Sequence, residues 1–247
     1  MKNSEQKLVV GGSGYGKSWK VGWDIEQALE DGYFIVLLDK KLDHTGLVSQ
    51  TEGFVDLEEK IDSSMAEDLS IEFFQELFSG LKSQGKRGIR LKFQRIDPDL
   101  DLVEIGDKVA RSVLPLDFKI LAVYEELRNF TPNTLEGGSP KEFKGITTLI
   151  SEGRSEDKRF EGTCQTFKQI HTEMREVSKF FEVFKIDDKP ESYFHVFSKN
   201  NPDHKEVVRE ICSSSQEERK YIHYHDPTNS LEVKTSNGLD RKTDHSG

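Results

Sequence analysis

A glycine-rich stretch near the start of the chain carries residue types that can bind phosphate. From residue 11 it reads Gly-Gly-Ser-Gly-Tyr-Gly-Lys-Ser, which matches the pattern G-x-x-x-x-G-K-[ST] at each specified position. In such a loop, backbone N–H groups surround the phosphate oxygens, the lysine reaches the β- and γ-phosphates, and the hydroxyl binds Mg²⁺. The motif predicts a site for ATP and Mg²⁺, with Lys17 also catalytic and Ser18 a metal ligand. The expected nucleotide-binding residues are Gly11, Gly12, Ser13, Gly14, Tyr15, Gly16, Lys17 and Ser18.

The flanking residues predict the strand and the helix that a phosphate loop requires. Residues 8–10 form an apolar run typical of a buried parallel strand. After the loop, Val21, Ile25 and Ala28 recur at helical spacing, and Gly32 provides a stop. Strand, loop and helix are therefore expected in that order.

Two adjacent carboxylates, Glu125 and Glu126, follow a second apolar run at residues 120–124. In ATPases with a phosphate loop, an acidic residue at this position helps to hold Mg²⁺, and another can polarise the attacking water. We expect Glu125 to be a metal ligand and both carboxylates to be catalytic. The alternative is the start of a solvated helix, where the helix dipole also favours Glu.

A neutral amide stands at the end of a further strand-like run, "EGTCQ". Gln165 could hydrogen-bond a γ-phosphate or a water and report hydrolysis by moving. Polar residues in loops are more often only solvated, which is the alternative interpretation.

Other apolar patterns predict the elements around these residues. Strands are expected at residues 33–41, 89–95 and 180–186, and the alternation in the second of these predicts one face in water. Residues 50–88 read as an acidic, helical insertion between core strands. The residues expected on apolar helix faces are Phe73, Phe74, Leu77 and Leu81; Ile105, Val109 and Val113; Phe143, Ile146 and Ile150; and Phe167, Ile170, Met174 and Val177.

The alternation of strands and helices predicts an α/β fold with a mostly parallel central sheet flanked by helices. We expect one domain over residues 1–234, with the small helical insertion at about 50–88 and a short β appendage near the C-terminus. The polar residues 235–247 are expected to be a disordered tail.

Composition restricts the possible partners and compartments. With a formal net charge of −10, the chain has no global attraction to nucleic acid, so any DNA contact needs a local basic patch. Two cysteines, Cys164 and Cys212, are too few for a disulfide framework. No apolar run approaches the length of a membrane span, so we expect a soluble protein inside a cell or inside a particle assembled there.

Taken together, the motifs resemble the HerA/FtsK superfamily of DNA-pumping ATPases. The resemblance rests on "GGSGYGKS", "VLLDKK", the acidic pair in "AVYEEL", "EGRS", and "TCQ" followed by "FFEVFKI", over roughly residues 7–187. It implies a RecA-like core, Mg²⁺ and water handling by Glu125 and Glu126, and γ-phosphate sensing by Gln165. It also implies that Arg154 is an arginine finger at a subunit boundary. The family usually has Asp followed by Glu where this chain has two glutamates.

Within the superfamily, a core of this size with ten residues before the loop is similar to the genome-packaging ATPases of tailless, membrane-containing viruses. The resemblance implies a homohexameric ring around double-stranded DNA, with capsid-vertex or viral membrane proteins as further partners. The expected location is the cytoplasm of the infected host or the virion vertex.

Other functions stay open at this point. A HerA-like cellular DNA-processing ATPase would share the same motifs, and a degenerate ATPase would keep nucleotide only for structure. A small nucleoside or nucleotide kinase could use Arg154 and Arg159 as lid arginines. The candidate cations for a DNA-lined pore are Lys82, Lys86, Arg87, Lys158 and Arg159.

Overall fold

Strands and helices alternate along the chain in the computed structural model. It describes residues 6–40, 44–51, 53–57, 61–93, 97, 99–132, 143–187, 189–193, 197, 201–228, 230–237 and 239. The strands within these ranges are β1 (Gln6–Val10), β2 (Phe34–Leu38), β3 (Phe54–Asp56), β4 (Gly88–Leu91), β5 (Ile120–Tyr124), β6 (Lys158–Cys164), β7 (Phe180–Phe184), β8 (Lys220–His225) and β9 (Ser230–Thr235). The α-helices are α1 (Lys17–Glu30), α2 (Thr45–Gln50), α3 (Ile71–Ser83), α4 (Leu102–Val113), α5 (Lys144–Glu152), α6 (Thr172–Val177) and α7 (Pro202–Ser213).

All these strands belong to one sheet with the order β3-β4-β2-β5-β6-β1-β7-β8-β9. The seven strands from β3 to β7 in that order pair in parallel, whereas β8 and β9 are antiparallel. The expected α/β fold with a mostly parallel sheet and a C-terminal β appendage is therefore confirmed. The carboxyl ends of β1, β2, β5 and β6 meet along one side, which we call the carboxyl edge.

Both faces of the sheet are covered, which explains the nearly continuous apolar runs in its central strands. Alternate residues of a strand enter two separate clusters. Leu8 and Val10 pack in the larger one, with residues of α3 to α7, whereas Val9 packs with Val21 and Ile25 of α1 in the smaller one.

The segment between β2 and β4 contains the expected helix and also a strand. Phe74 and Leu81 of α3 are buried, and Phe73 and Leu77 pack against the core from partly buried positions. Ahead of this helix, β3 pairs with β4 and extends the sheet, so the insertion is not purely helical.

The expectation that one face of β4 lies in water is wrong. Arg90 is only 4% exposed, and its guanidinium binds both carboxylate oxygens of Asp56, at 2.5 and 2.9 Å. Asp56 lies opposite Arg90 in the register of β3 with β4. The alternating pattern therefore reflects an ion pair between a buried arginine and a partly buried aspartate, and not a wet face.

The single helix expected over residues 167–177 is also wrong. The chain forms a 3₁₀ turn at Phe167–Gln169, extends at Ile170, and only then begins α6. The His171 side chain caps α6 by accepting a hydrogen bond from its first turn, so local polar bonds end one helix and start the next. The apolar residues of this pattern still face the core, because Phe167, Ile170 and Met174 are all buried.

Near the C-terminus, β9 ends at Thr235, and the next residue is still part of the packed structure. Ser236 is buried, and its backbone N–H donates to the Arg219 carbonyl at 3.1 Å. Residues 240–247 of the expected tail lie outside the described residues. Within the described ranges, no helix has both the length and the apolar character of a membrane span.

Candidate nucleotide-binding site

The glycine-rich loop joins β1 to α1 at the carboxyl edge, as its pattern predicts. Gly14 (φ 86°) and Gly16 (φ 94°) have left-handed backbone conformations that favour glycine. The loop is fixed to both neighbouring strand ends, since the N–H of Gly11 donates to the Cys164 carbonyl at 3.0 Å and that of Gly12 to the Lys185 carbonyl at 2.8 Å. No side chain in the described ranges caps the start of α1, which leaves its first N–H groups able to bind phosphate.

Glu125 is a buried carboxylate directly after β5. Its Oε1 lies 2.5 Å from His44 Nε2, and its Oε2 accepts a hydrogen bond of 2.6 Å from the Thr163 hydroxyl. Burial by itself raises the pKa of Glu125. The charges of His44 and Lys17, together with the hydrogen bonds from His44 and Thr163, outweigh burial and lower that pKa to about 2. An ionised carboxylate therefore stands close to Lys17 at the carboxyl edge.

Glu126 is buried as well, and its backbone is left-handed at φ 55°. Its N–H donates to the Thr163 hydroxyl at 2.9 Å, and its Oε1 accepts a hydrogen bond of 3.1 Å from Gln165 Nε2. On the other side, Arg128 Nε lies 3.5 Å from Oε2. The structure thus brings Glu125, Glu126 and Gln165 together, and the two carboxylates do not form the start of a solvated helix.

The donor groups at this edge suit Mg²⁺. Magnesium usually takes one or two carboxylates, substrate phosphates and waters, and is seldom held by protein ligands alone. The Ser18 hydroxyl and the ionised Glu125 provide such a partial set. In the described ranges no group of three or more His, Cys, Asp or Glu side chains could hold a metal.

Sequence reasoning missed two residues of this site, His44 and Thr163. Thr163 stands two positions before Gln165, so strand alternation puts both side chains on one face, and this signal could have found it. His44 follows β2, whose last residue pairs with the last residue of β5. Its N–H donates to Asp39 Oδ2 at 3.2 Å, which holds the segment after β2 beside Glu125.

Arg154 lies away from the phosphate loop of its own chain. It is exposed in the 3₁₀ turn Gly153–Glu156, and the next residue, Asp157, accepts a hydrogen bond from Ile120 at the start of β5. The turn therefore lies at the amino ends of β5 and β6. A seven-residue strand spans ~20 Å, so Arg154 cannot reach the loop at the opposite edge. No ion pair of Arg154 occurs within the described ranges.

The basic residues proposed for a DNA pore differ in their surroundings. Lys158 is buried and donates to the carbonyls of Leu116 and Glu156, at 2.9 and 2.6 Å, so its selection as a DNA contact was wrong. The Arg159 guanidinium stacks over the Tyr33 ring at 4.0 Å and pairs with Asp31. Lys82 and Arg87 are exposed and Lys86 is half-buried.

The position of Arg159 also bears on the kinase alternative. It lies at the start of β6, and Arg154 is in the turn before it, so both are at the edge opposite the phosphate loop. A pair of lid arginines would have to close over the phosphates from the carboxyl edge. The position of Arg154 and Arg159 therefore counts against this role for them.

The fold and the loop define a class of protein. The phosphate loop follows β1, the acidic pair follows β5, and β6 lies between these two strands, which is the arrangement of a RecA-like P-loop fold. The expected RecA-like fold and the expected likeness to the packaging-ATPase group are confirmed at the level of fold.

Three solved structures illustrate the likeness. The genome packaging NTPase B204 from Sulfolobus turreted icosahedral virus 2, in complex with AMP, superposes with a TM-score of 0.63 at 10% identity, over 95% of this chain and 99% of that one. B204, the DNA-packaging ATPase from Sulfolobus turreted icosahedral virus, gives 0.61 at 10% identity, over 95% and 99%. The plasmid coupling protein TrwB with ADP and Mg²⁺ gives 0.60 at 12% identity, over 98% and 87%. No protein-family model and no curated protein sequence matches the chain.

Proposed function

We propose that this chain is an ATP-driven translocase of double-stranded DNA, and specifically a viral genome-packaging ATPase that pumps DNA into a preformed capsid. The observation that carries the proposal is the buried Glu125, held by His44 and Thr163 at the carboxyl edge that also bears the phosphate loop, in a fold shared over 95% of the chain with a packaging NTPase. A carboxylate kept charged in a buried position at a phosphate loop suits a cation and a nucleotide.

In the proposed reaction, the N–H groups of the loop and Lys17 bind the phosphates of ATP. Ser18 and Glu125 would hold Mg²⁺, which would supply positive charge to the phosphates when bound. Glu126 accepts the proton of the attacking water. The 3.1 Å hydrogen bond between Gln165 and Glu126 keeps a neutral amide next to that base, where it senses the γ-phosphate.

Translocation requires the sites to communicate between subunits, and we propose a homohexameric ring around DNA. Arg154 supports this arrangement because it is exposed and ~20 Å from its own phosphate loop, so any contact with ATP must be with that of a neighbouring subunit. An arginine supplied in trans stabilises charge as the γ-phosphoryl group leaves.

A virus-specific role adds partners and a location to the proposal. The ring would work at the capsid vertex or with viral membrane proteins, in the cytoplasm of the infected host or at the virion vertex. A cellular DNA-processing ATPase of the HerA type is the second candidate, favoured by the similar fit to TrwB, a plasmid coupling protein.

The proposal is tested by measuring native mass and ATP hydrolysis of the purified chain, with and without double-stranded DNA. We expect a hexamer whose hydrolysis is stimulated by DNA, and Lys17→Ala should lose hydrolysis while keeping its fold. Lys17 serves the phosphates, whereas the exposed Lys205 on α7 does not, so Lys205→Ala is the matched control.

A monomer or dimer stimulated by a nucleoside would contradict the translocase and favour the kinase. Hydrolysis at the wild-type rate by Lys17→Ala would remove the assignment of the phosphate loop. A DNA-stimulated ring that also packages DNA into empty capsids separates the viral role from the cellular one.

A further inference from the structure

A cleft of about 520 Å³ opens between the phosphate loop and the segment that joins α7 to β8. Its volume is in the range of pockets for small molecules. The lining residues are Gly14, Gln216, Glu217, Arg219 and Asn237. Only Gly14 belongs to the loop, so the cleft is shared between the candidate site and the C-terminal part of the chain.

The loop and the C-terminal part are in close contact. A Cβ atom added at Gly14 would lie 3.0 Å from Gln216 Nε2. One added at Gly16 would lie 2.9 Å from Ser236 Oγ and 3.2 Å from Arg219 Cδ. These two glycines therefore allow both the left-handed turns and the approach of the C-terminal side chains.

The cleft wall is held by its own hydrogen bonds. Asn237 Nδ2 donates to the carbonyls of Glu217 and Glu218, at 2.6 and 3.1 Å. Arg219 has a left-handed backbone at φ 46°, which is unfavourable for a residue with a Cβ and is often found at ligand sites. Its guanidinium lies 5.5 Å from the ring of Trp19, the residue after Ser18. A planar cation and an aromatic ring thus border the cleft beside the loop.

We propose that this cleft holds the base and ribose of the nucleotide, and that Gln216 selects adenine. The proposal rests on the proposed function, because it assumes that the loop holds the phosphates of ATP. A nucleotide with its phosphates in the loop must place its nucleoside in an adjoining space, and the cleft adjoins the loop at Gly14.

The chemistry of Gln216 matches the adenine edge. A carboxamide offers one donor and one acceptor side by side, which pair with N7 and the N6 amino group of adenine. Guanine presents two acceptors, N7 and O6, on the same edge, so it can form only one of these bonds. The Arg219 guanidinium provides a flat surface on which the base stacks.

The test measures binding of ATP, GTP and inorganic tripolyphosphate to the full chain and to Gln216→Ala, Arg219→Ala and Gln84→Ala. Gln84 is an exposed glutamine after α3 and serves as the matched control. We expect Gln216→Ala to bind ATP about 10-fold more weakly, as for loss of one bidentate contact to a base, and to weaken GTP binding by less. Arg219→Ala should weaken ATP and GTP together. Tripolyphosphate should bind all variants equally, and Gln84→Ala should behave as wild type.

The outcomes separate this proposal from the function on which it rests. An unchanged ratio of ATP to GTP affinity in Gln216→Ala, or wild-type binding of ATP no tighter than that of tripolyphosphate, overturns the cleft assignment and leaves the phosphate loop intact. Equal weakening of tripolyphosphate and ATP by Arg219→Ala also overturns it, because the arginine would then bind phosphate. If the wild-type chain binds none of the three, the proposed function fails and the cleft assignment fails with it.

Discussion

The hydroxyl of Thr163 donates a hydrogen bond of 2.6 Å to Glu125 Oε2 and so connects the end of β6 to the end of β5. The same hydroxyl accepts the backbone N–H of Glu126 at 2.9 Å. One side chain therefore holds both the carboxylate of Glu125 and the backbone of Glu126, the two residues proposed to act on ATP.

Replacing Thr163 tests this orientation. Thr163→Val keeps the shape of the side chain but loses the hydroxyl, and we expect kcat for ATP hydrolysis to fall about tenfold or more with KM little changed, since a hydrogen bond to a charged group is lost. Thr163→Ser keeps the hydroxyl and should retain most of the rate. Equal rates for the two variants in steady-state assays would show that the hydrogen bond is dispensable.

The two glutamates should fail in different ways when each is replaced. Glu126→Gln is expected to bind ATP and stall turnover, because an amide cannot accept the proton of the attacking water. Glu125→Gln should instead raise the Mg²⁺ concentration needed for hydrolysis, since a charged oxygen ligand is lost. Binding of ATP measured beside hydrolysis over a Mg²⁺ titration distinguishes them. If Glu125→Gln alone stalls turnover with binding kept, the two roles are reversed.

Arg154 is expected to act on the ATP of a neighbouring subunit. Arg154→Ala and Lys17→Ala should each be inactive as pure rings, whereas mixed rings pair an intact Lys17 site with an intact Arg154 and should recover part of the activity. Recovery is measured as ATP hydrolysis against mixing ratio, after subunit exchange has been confirmed. Full activity of Arg154→Ala alone would exclude a catalytic role, where loss of an arginine finger costs ~10³-fold or more.

A buried charge cluster between α1 and the sheet makes stability depend on pH. Lys7 Nζ lies 2.7 Å from Asp24, 3.4 Å from Glu161 and 3.6 Å from Glu182, and Lys20 Nζ lies 2.6 Å from Asp24 and 3.1 Å from Glu182. Three carboxylates thus share two ammonium groups. Burial raises the pKa of Glu161 well above its usual value, whereas Lys7 and Lys20 outweigh burial at Glu182 and lower its pKa.

The two glutamates of this cluster should respond oppositely to amide substitution. Between the unfolded pKa of about 4.5 and its raised folded pKa, Glu161 holds a proton that the unfolded chain releases, so stability falls as pH rises through this window. Glu161→Gln removes that loss of stability, so its Tm should exceed that of wild type at pH 8. A stabilisation of ~1 kcal/mol raises Tm by about 2–4 °C in a chain of this size, and we expect a shift of that order. The gain should shrink toward pH 5.

Glu182 is ionised when folded, and its contribution is present above the unfolded pKa and lost as pH falls through the folded one. Glu182→Gln should therefore lower the free energy of unfolding at pH 7 by about 3–5 kcal/mol, the cost of breaking a buried pair. Thermal unfolding from pH 4 to 8 measures both variants. A destabilised Glu161→Gln at pH 8 would contradict the assignment of the proton.

Gly16→Ala is expected to impair both stability and ATP binding. The residue has φ 94°, and a new Cβ would lie 2.9 Å from Ser236 Oγ, so strain and a clash add together. Gly85→Ala is the matched control, because φ there is 72° but the space around it is open. It should cost only ~1–2 kcal/mol of backbone strain and leave ATP binding unchanged. If Gly16→Ala and Gly85→Ala lose the same amount of stability and ATP binding, the contact with Ser236 does not contribute.

Several features of the site were predictable because they depend on local spacing. The glycine positions dictate a turn that few other residues allow. The acidic pair stands directly after an apolar run long enough to be a strand, and Gln165 ends a strand-like run. Parallel pairing then brings the ends of these strands to one edge. This is why the phosphate loop, Glu125, Glu126 and Gln165 could be selected without a structure.

Other features depend on segments that are distant in the chain. His44 and Glu125 are 81 positions apart, and the cleft joins Gly14 to residues more than 200 positions later. The burial of Lys158, the ion pair of Arg90 and the break at Ile170 likewise follow from what packs against each residue. A periodic pattern records whether a side chain is apolar, but not which partner neutralises a polar one.

The sequence by itself determined the order of the main parallel strands along the chain, the loop and the carboxylates, because backbone dihedral preferences and apolar periodicity act over a few residues. Only the tertiary structure decided the strand order, the charge state of Glu125, and the wall that the C-terminal segment builds beside the loop. Those properties arise from burial and from hydrogen bonds between groups that come together only when the sheet is assembled, and no local spacing encodes them.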